Sequence, residues 1–427
     1  MTTRRATLPT RALIRLSEFR YIAWYLALLG LVVSSFFSFV IYPMASGAQH
    51  MVLDPDSHGN LGYGILKYHE FSYYPDREPT VERGPLYPAF IALLLVISND
   101  WWPYAVQLGQ CVLLALMCGL VYWTSKNLWN KPTAVLTAGL CAVHPLAIWY
   151  TSRIWIETMS MFLFTAMIAA TLYFALRPNL ARALVLGCVL GASALCKSTF
   201  LPYVVLAPLF LWLLRADRTK LSLSAIVVIV AVIVIAPWTV RNWKLTGRFI
   251  PVHARMGFNI EVGDELVEHI GMSPFSLAKI WDASIERVAT ESLKLPEGLK
   301  KHEKELLLDS VLLRVSMQRY RSHPWFLVKK VFVNAWLFWT LGESPRKSAV
   351  IATLLLSLVA LTTVSTVLIL RRKQMKTIMG VHIALMFVYY IMHLPVEAIA
   401  RYSVVLVPAM IMYGIGPIIQ PFFGDKR

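Results

Sequence analysis

Acidic and basic side chains that could act on one another gather in this sequence just beyond long apolar runs. Val52-Leu53-Asp54-Pro55-Asp56-Ser57-His58 follows the first run, and Glu82-Arg83-Gly84-Pro85-Leu86-Tyr87-Pro88 comes soon after. Between residues 45 and 100 the acids are Asp54, Asp56, Glu70, Asp76, Glu78, Glu82 and Asp100, against three bases. An acid in such a place can take a proton as a general base or ligate a metal. Loop acids more often only keep a loop solvated. Asp54 and Asp56 stand above that reading, because they lie close to the end of an apolar run and a D-x-D pair could share a divalent cation.

Glu157 opens a later apolar run, after Tyr150-Thr151-Ser152-Arg153. An ionisable group at membrane depth is a functional candidate by default. Its bland reading is an ion pair with Arg153 one helical turn away. Lys197 lies between two apolar segments and needs either an anionic partner or a path to the surface by snorkelling. Farther on, Pro237-Trp238-Thr239-Val240-Arg241-Asn242 is followed by Gly247-Arg248-Phe249-Ile250-Pro251, and the last loop reads Glu397-Ala398-Ile399-Ala400-Arg401-Tyr402. Arg241 could hold a phosphate through bidentate hydrogen bonds or simply anchor to lipid headgroups. Arg153, Lys197, Arg241 and Arg401 are thus expected at one membrane face, opposite Asp54, Asp56, Glu82 and Glu157. A basic cluster facing an acidic one suits a phosphate leaving group beside a carboxylate base.

The elements that must position these groups are membrane helices. The chain has 427 residues, is 57% hydrophobic and has a mean hydropathy of +0.58. A soluble domain cannot bury that much apolar surface, whereas a bilayer can. The net charge of +17 therefore reads as basic cytoplasmic loops rather than nucleic-acid binding. A span needs about 20 mostly apolar residues. Ten segments qualify: 21–43, 101–125, 132–150, 154–176, 183–196, 200–214, 221–239, 347–370, 376–394 and 402–422, of which 183–196 and 200–214 are short. The run 86–98 is shorter still and reads as a helix lying in the interface. Leaving it out puts both termini and 18 Lys and Arg on the cytoplasmic side, while the short outer loops keep only Arg153, Lys197 and Arg401. Counting it would invert every later loop against the positive-inside rule.

The expected organisation is a basic tail (1–20), a membrane module with the first outer loop (21–239), a second long outer segment (240–346) and C-terminal spans (347–427). Within the outer segment, Ser273-Pro274 suits the start of a helix. Leu308, Val311, Leu312 and Val315 share one helical face. The stretch His323 to Gly342, rich in Trp and Phe with Lys329 and Lys330, is expected to lie along the interface. Arg4, Arg5, Arg11, Arg15 and Arg20 precede a first run long enough to span, which argues against a cleavable signal. Cys111, Cys118, Cys141, Cys188 and Cys196 all sit in apolar stretches and read as buried small residues rather than disulfides or ligands.

With these pieces in order the sequence resembles the GT-C fold glycosyltransferases. The bacterial protein O-mannosyltransferase-like group (glycosyltransferase family 39), with the lipid A aminoarabinose transferases, is the nearest likeness. The pieces are Asp56-Ser57 through Phe71-Ser72; Glu82 to Pro88; Pro145, Tyr150 and Glu157; residues 237–251; and Arg401, Tyr402 and Pro408. The resemblance implies an all-α polytopic enzyme that takes a sugar from a polyprenyl-phosphate donor on the outer, periplasmic side of an inner membrane. It would pass that sugar with inversion to a glycan, lipid or protein acceptor. It further implies a base in the first loop, matched to Asp56 with Asp54 as rival and Glu157 as a third catalytic candidate. Glu82, Arg83, Tyr87, Arg153, Lys197, Arg241, Asn242, Arg401 and Tyr402 are the expected substrate-binding residues. No cofactor is assigned from the sequence, though first-loop acids could hold a divalent metal. The rival reading is a transporter or lipid flippase, which would tend to show repeated halves and mid-membrane binding residues.

Overall fold

The computed structural model describes residues 8–423 apart from 47–53, 55, 214–217, 270–285, 288–289, 292–293 and 373–376. Its described residues form helices joined by turns, with one isolated bridge between Ser72 and Pro79. An amphipathic helix α1 (Leu8–Glu18) leads into α2 (Ile22–Ala45), the first apolar helix long enough to cross a membrane. Then come α3 (His58–Tyr68), α4 (Leu86–Ser98) and α5 (Trp102–Leu128). Helix α6 (Lys131–Ala142) is bent by 45° against the following Pro145–Ser152 segment, and α7 (Glu157–Leu176), α8 (Leu180–Cys196) and α9 (Ser198–Leu213) follow. Helix α10 (Arg218–Thr246) leads out to α11 (Met256–His269), α12 (Lys301–Ser322) and α13 (Pro324–Thr340), before α14 (Pro345–Arg371), α15 (Thr377–His393) and α16 (Ala400–Phe423) close the chain.

The chain is a multi-pass membrane protein. Among the described residues, helices α2, α5, α7, α14, α16 and the Leu221–Thr246 part of α10 are each long and apolar enough to cross, and the bent pair around Pro145 makes a seventh if it is one span. The remaining segments of the expected ten, α8, α9 and α15, are shorter apolar helices. The tenfold count therefore holds only approximately. Helix α4 is formed over the residues expected, with Tyr87, Ile91 and Leu95 buried on one side. Helix α10 continues past residue 239, so Arg241 and Asn242 belong to its last turns rather than to a loop.

Local signals set many ends. Asn130, Asn179 and Ser344 each accept a backbone N–H at the start of a helix, and Pro132 and Pro345 occupy the first turns of α6 and α14. Helix α12 carries Leu308, Val311, Leu312 and Val315 as expected. The expected helix start at Ser273-Pro274 lies outside the described residues. Four cysteines are buried and all five are free, but Cys188 is exposed, because its position on α8 faces away from the bundle.

The loop that follows α2 is pinned to the long segment that follows α10. Asp54 accepts the backbone N–H groups of His58 (3.0 Å) and Gly59 (2.7 Å), capping α3. Downstream, Glu305 of α12 accepts from the Thr80 hydroxyl at 2.7 Å and the Val81 N–H at 3.0 Å, while Lys301 reaches Asp76 at 2.6 Å. Glycine is required at position 84: a Cβ there would lie 2.5 Å from the Leu195 carbonyl oxygen and 2.8 Å from that of Cys196. This close approach seats Arg83 beside the end of α8 and Lys197.

Candidate active site

Asp56 sits between two guanidinium groups. Arg83 Nη2 donates to one carboxylate oxygen at 3.3 Å, and Arg401 Nη2 donates to the other. Arg401 Nε reaches Glu157 at 2.7 Å, so one arginine joins both acids. The guanidinium of Arg401 also lies over the Trp155 ring, 4.3 Å from its centroid. Burial alone would raise the Asp56 carboxyl, but the charges of Arg401 and Arg83 outweigh it and hold the group well below the usual carboxylate range. Asp54 differs: burial pushes it up to about 6 against the two backbone N–H groups it accepts.

Two cavities meet at this ion pair. The larger, about 530 Å³, has walls from Leu146, Trp149, Tyr150, Trp155, Leu341, Val350, Ile351 and Leu354, and charged groups from Glu343, Arg346, Lys347, Asp56 and Arg401. The smaller, about 100 Å³, is polar and is lined by Asp56, His58, Glu82, Arg83, Glu157, Lys197, His253, Arg255, Asn259, Glu397, Arg401 and Tyr402. Asp56 and Arg401 line both.

The small cavity concentrates polar atoms without hydrogen-bond partners. Among the described residues these include His58 Nδ1, Arg83 Nε, Glu157 Oε2, Lys197 Nζ, His253 Nδ1 and Glu397 Oε1. A buried polar group left unmet costs roughly 1–3 kcal/mol, so such a gathering around one space suits a polar ligand or ordered water that supplies the missing bonds. Burial, helped by the nearby positive charges of Arg83 and Arg255, lowers His253 to about 3, and burial with Arg83 lowers His58 likewise to about 3. Both rings are therefore neutral and can donate or accept. Lys197 Nζ stands 4.1 Å from the centroid of the Tyr402 ring, whose hydroxyl donates to Glu397 at 2.6 Å.

Not every sequence candidate is here. Glu82, Arg83, Glu157, Lys197, Arg401 and Tyr402 line the small cavity with Asp56. Tyr87 stands behind it, packed edge-on to His58 and donating to Gln110 at 3.0 Å. Arg153 is not paired with Glu157, because the residue is extended (φ −127°, ψ 151°) and outside the α7 helix. It instead meets Glu343 at 3.2 Å and lies over Trp149 and Trp155. Arg241 lines neither cavity. It donates to the Thr80 carbonyl oxygen at 2.8 Å, to that of Phe71 at 3.3 Å and to Glu70 at 3.2 Å. Asn242 donates to the Ile250 and Val252 carbonyl oxygens. Both residues clamp loops. Sequence reasoning missed His58, His253, Arg255, Glu343, Arg346 and Lys347. Only His58, two residues from Asp56, carried a positional signal.

The two acids of the D-x-D pair face different partners. Asp54 faces backbone N–H groups while Asp56 faces two arginines, so a cation would have to displace both sets. Among the described residues no three His, Cys, Asp or Glu side chains gather as ligands.

Residues 82–240 match the family described as dolichyl-phosphate-mannose-protein mannosyltransferase. No curated protein matches the chain in sequence. In structure it is similar to the oligosaccharyltransferase of Archaeoglobus fulgidus in the apo form, with TM-score 0.57 and 16% identity over 93% of this chain and 50% of that one. The same enzyme with an inhibitory peptide and a dolichol-phosphate gives TM-score 0.55 at 16% identity, over 93% and 50%. The chain thus spans about half the length of these structures. ArnT from Cupriavidus metallidurans bound to undecaprenyl phosphate, at TM-score 0.41, 14% identity and coverage of 90% and 77%, is too distant to bear weight. The resemblance read from the ordered motifs stands, and the fold is that of the GT-C glycosyltransferases.

Proposed function

For a chain with the GT-C fold, we propose transfer of a sugar from a polyprenyl-phosphate donor to an acceptor at the periplasmic face of an inner membrane. One observation carries this reading: Asp56 and Arg401 lie where a large apolar cavity joins a small polar one. A polyprenyl-phosphate sugar has that same division, with an apolar tail, an anionic phosphate and a polar ring. The tail lies in the large cavity against Leu146, Trp149, Val350 and Leu354. The phosphate lies among Arg346, Lys347 and Arg401, next to the N-terminus of α14. The sugar enters the small cavity, where its hydroxyls meet the unpartnered atoms of His58, Lys197, His253 and Glu397. Residues 21–239 with 347–427 supply the membrane module in this reading, and 240–346 the outer wall.

Asp56 is the base. It takes the proton of an acceptor hydroxyl, whose oxygen bonds to the anomeric carbon from the side opposite the phosphate. The anomeric carbon–oxygen bond breaks, its electron pair leaves on the phosphate, and configuration inverts. Two arginines make a resting Asp56 a weak base. A phosphate that shares Arg401 draws part of that charge away, so the base strengthens when the donor is seated. Glu157 keeps Arg401 in position.

The test is transfer of a labelled sugar from synthetic polyprenyl-phosphate sugars by purified protein, with mass spectrometry of envelope glycans from cells with and without the protein to name the acceptor. Absence of transfer from every polyprenyl-phosphate donor, with no glycan difference in the cells, overturns the proposal.

A further inference from the structure

We propose that Glu343 is a counter-ion that competes with the lipid phosphate and drives the spent polyprenyl phosphate out; this rests on the donor assignment above. Glu343 occupies the short turn between α13 and α14 and lines the large cavity. Its carboxylate bridges two cations: Arg153 Nη1 at 3.2 Å and Lys347 Nζ. Burial would raise this carboxyl, but Lys347 and Arg153 hold it below the usual range, so it stays charged.

The two cations differ in freedom. Arg153 is 8% exposed and is sandwiched against Trp149 and Trp155, with ring centroids at 4.9 and 4.8 Å. Lys347 is 39% exposed on a flexible stem and faces the same cavity as Arg346 and Arg401. An arriving phosphate can therefore take Lys347 from Glu343 while Arg153 keeps the carboxylate fixed at the cavity wall. Glu343 does not leave.

The chemistry makes such a neighbour useful. A polyprenyl-phosphate sugar is a phosphodiester with one negative charge. The product is a phosphomonoester, whose second ionisation lies near pH 6, so at neutral pH it carries about −1.5 to −2. A site holding Arg346, Lys347 and Arg401 would by itself grip product more tightly than donor. A fixed carboxylate repels the more highly charged species more strongly and offers Lys347 an alternative partner as product departs.

The test measures binding of a short-chain polyprenyl phosphate and of its sugar-bearing diester to detergent-purified protein at pH 7.5. Glu343→Gln should tighten the monoester by about tenfold, with a smaller gain for the diester, and should slow multiple turnover through product inhibition. Glu343→Asp, which keeps the charge, should restore the wild-type ratio. Equal gains for both lipids, no gain, or weaker binding by a normally folded Glu343→Gln protein overturns the counter-ion role. Wild-type protein that binds neither lipid refutes the donor assignment instead.

Discussion

Arg401 and Asp56, separated by 345 positions in the chain, form an ion pair that is shared by the walls of both cavities. The same guanidinium holds Glu157 through Nε at 2.7 Å. Because Arg401 uses different nitrogens for the two acids, it fixes the angle between them as well as their distance.

Lysine cannot replace that geometry. Arg401→Lys keeps a positive charge but offers a single point donor, so Asp56 and Glu157 can no longer be held together. Transfer should fall by about 10² or more while the protein still inserts and melts near the wild-type temperature. Turnover close to wild type in Arg401→Lys would show that the fork is not needed.

Asp56 and Asp54 separate by substitution. Asp56→Asn keeps shape but cannot take a proton, and transfer should drop by a factor of about 10² to 10⁴ with donor affinity much less altered. Asp54→Asn should transfer near normally, since it removes no base and its amide oxygen still accepts one of the two N–H groups that the carboxylate holds. Asp54→Ala should cost roughly 0.5–2 kcal/mol of stability through loss of the α3 cap. If Asp54→Asn abolished transfer and Asp56→Asn did not, the base would be the other carboxylate.

Arg241 predicts the opposite pattern. Removing it takes the donor from the Thr80 carbonyl oxygen and the ion pair from Glu70, while the Phe71 carbonyl oxygen keeps the Thr80 N–H at 3.0 Å and Glu70 keeps the Phe71 N–H at 3.2 Å. Arg241→Ala should lose about 1–3 kcal/mol of stability with the donor Michaelis constant little changed. Thermal melting in detergent beside donor titration decides it; weakened donor binding at unchanged stability would return Arg241 to the phosphate site.

Stability should depend on pH through Glu305. Burial, with the nearby charge of Glu82, pushes its carboxyl up to about 7 from an ordinary value near 4.5. A raised folded value means the folded chain holds a proton that the unfolded chain has lost. The stabilising contribution is full below about pH 4.5 and disappears as pH rises through about 7. Subtracting the melting curve of Glu305→Gln from that of wild type should isolate this fall. A flat difference between pH 4.5 and 7 would show that Glu305 keeps its ordinary value.

The expected orientation has its own check. In a background without exposed Cys188, Glu297→Cys should react with an impermeant thiol reagent added to intact cells and Gln374→Cys should not. Labelling at position 374 would invert the arrangement.

Much of the frame was legible in the chain itself. An apolar helix is specified by its own consecutive residues, so the long runs and the short helix from Leu86 to Ser98 needed no distant partner to be recognised. The clustering of acids after the first run and of Arg401 and Tyr402 near the end was also plain. Which charge meets which was not. Arg241 looked as suited to a phosphate as Arg401, yet it clamps a loop, while Arg346 and Lys347, which nothing in the sequence singled out, face the large cavity. A charged side chain carries no periodic signal for its partner. Its partner is selected by packing, which decides where water is excluded and which opposite charge lies within reach. Asp56 and Glu157 acquire their common arginine only when the last helix closes against α7 and the loop after α2, and only the tertiary structure makes that contact.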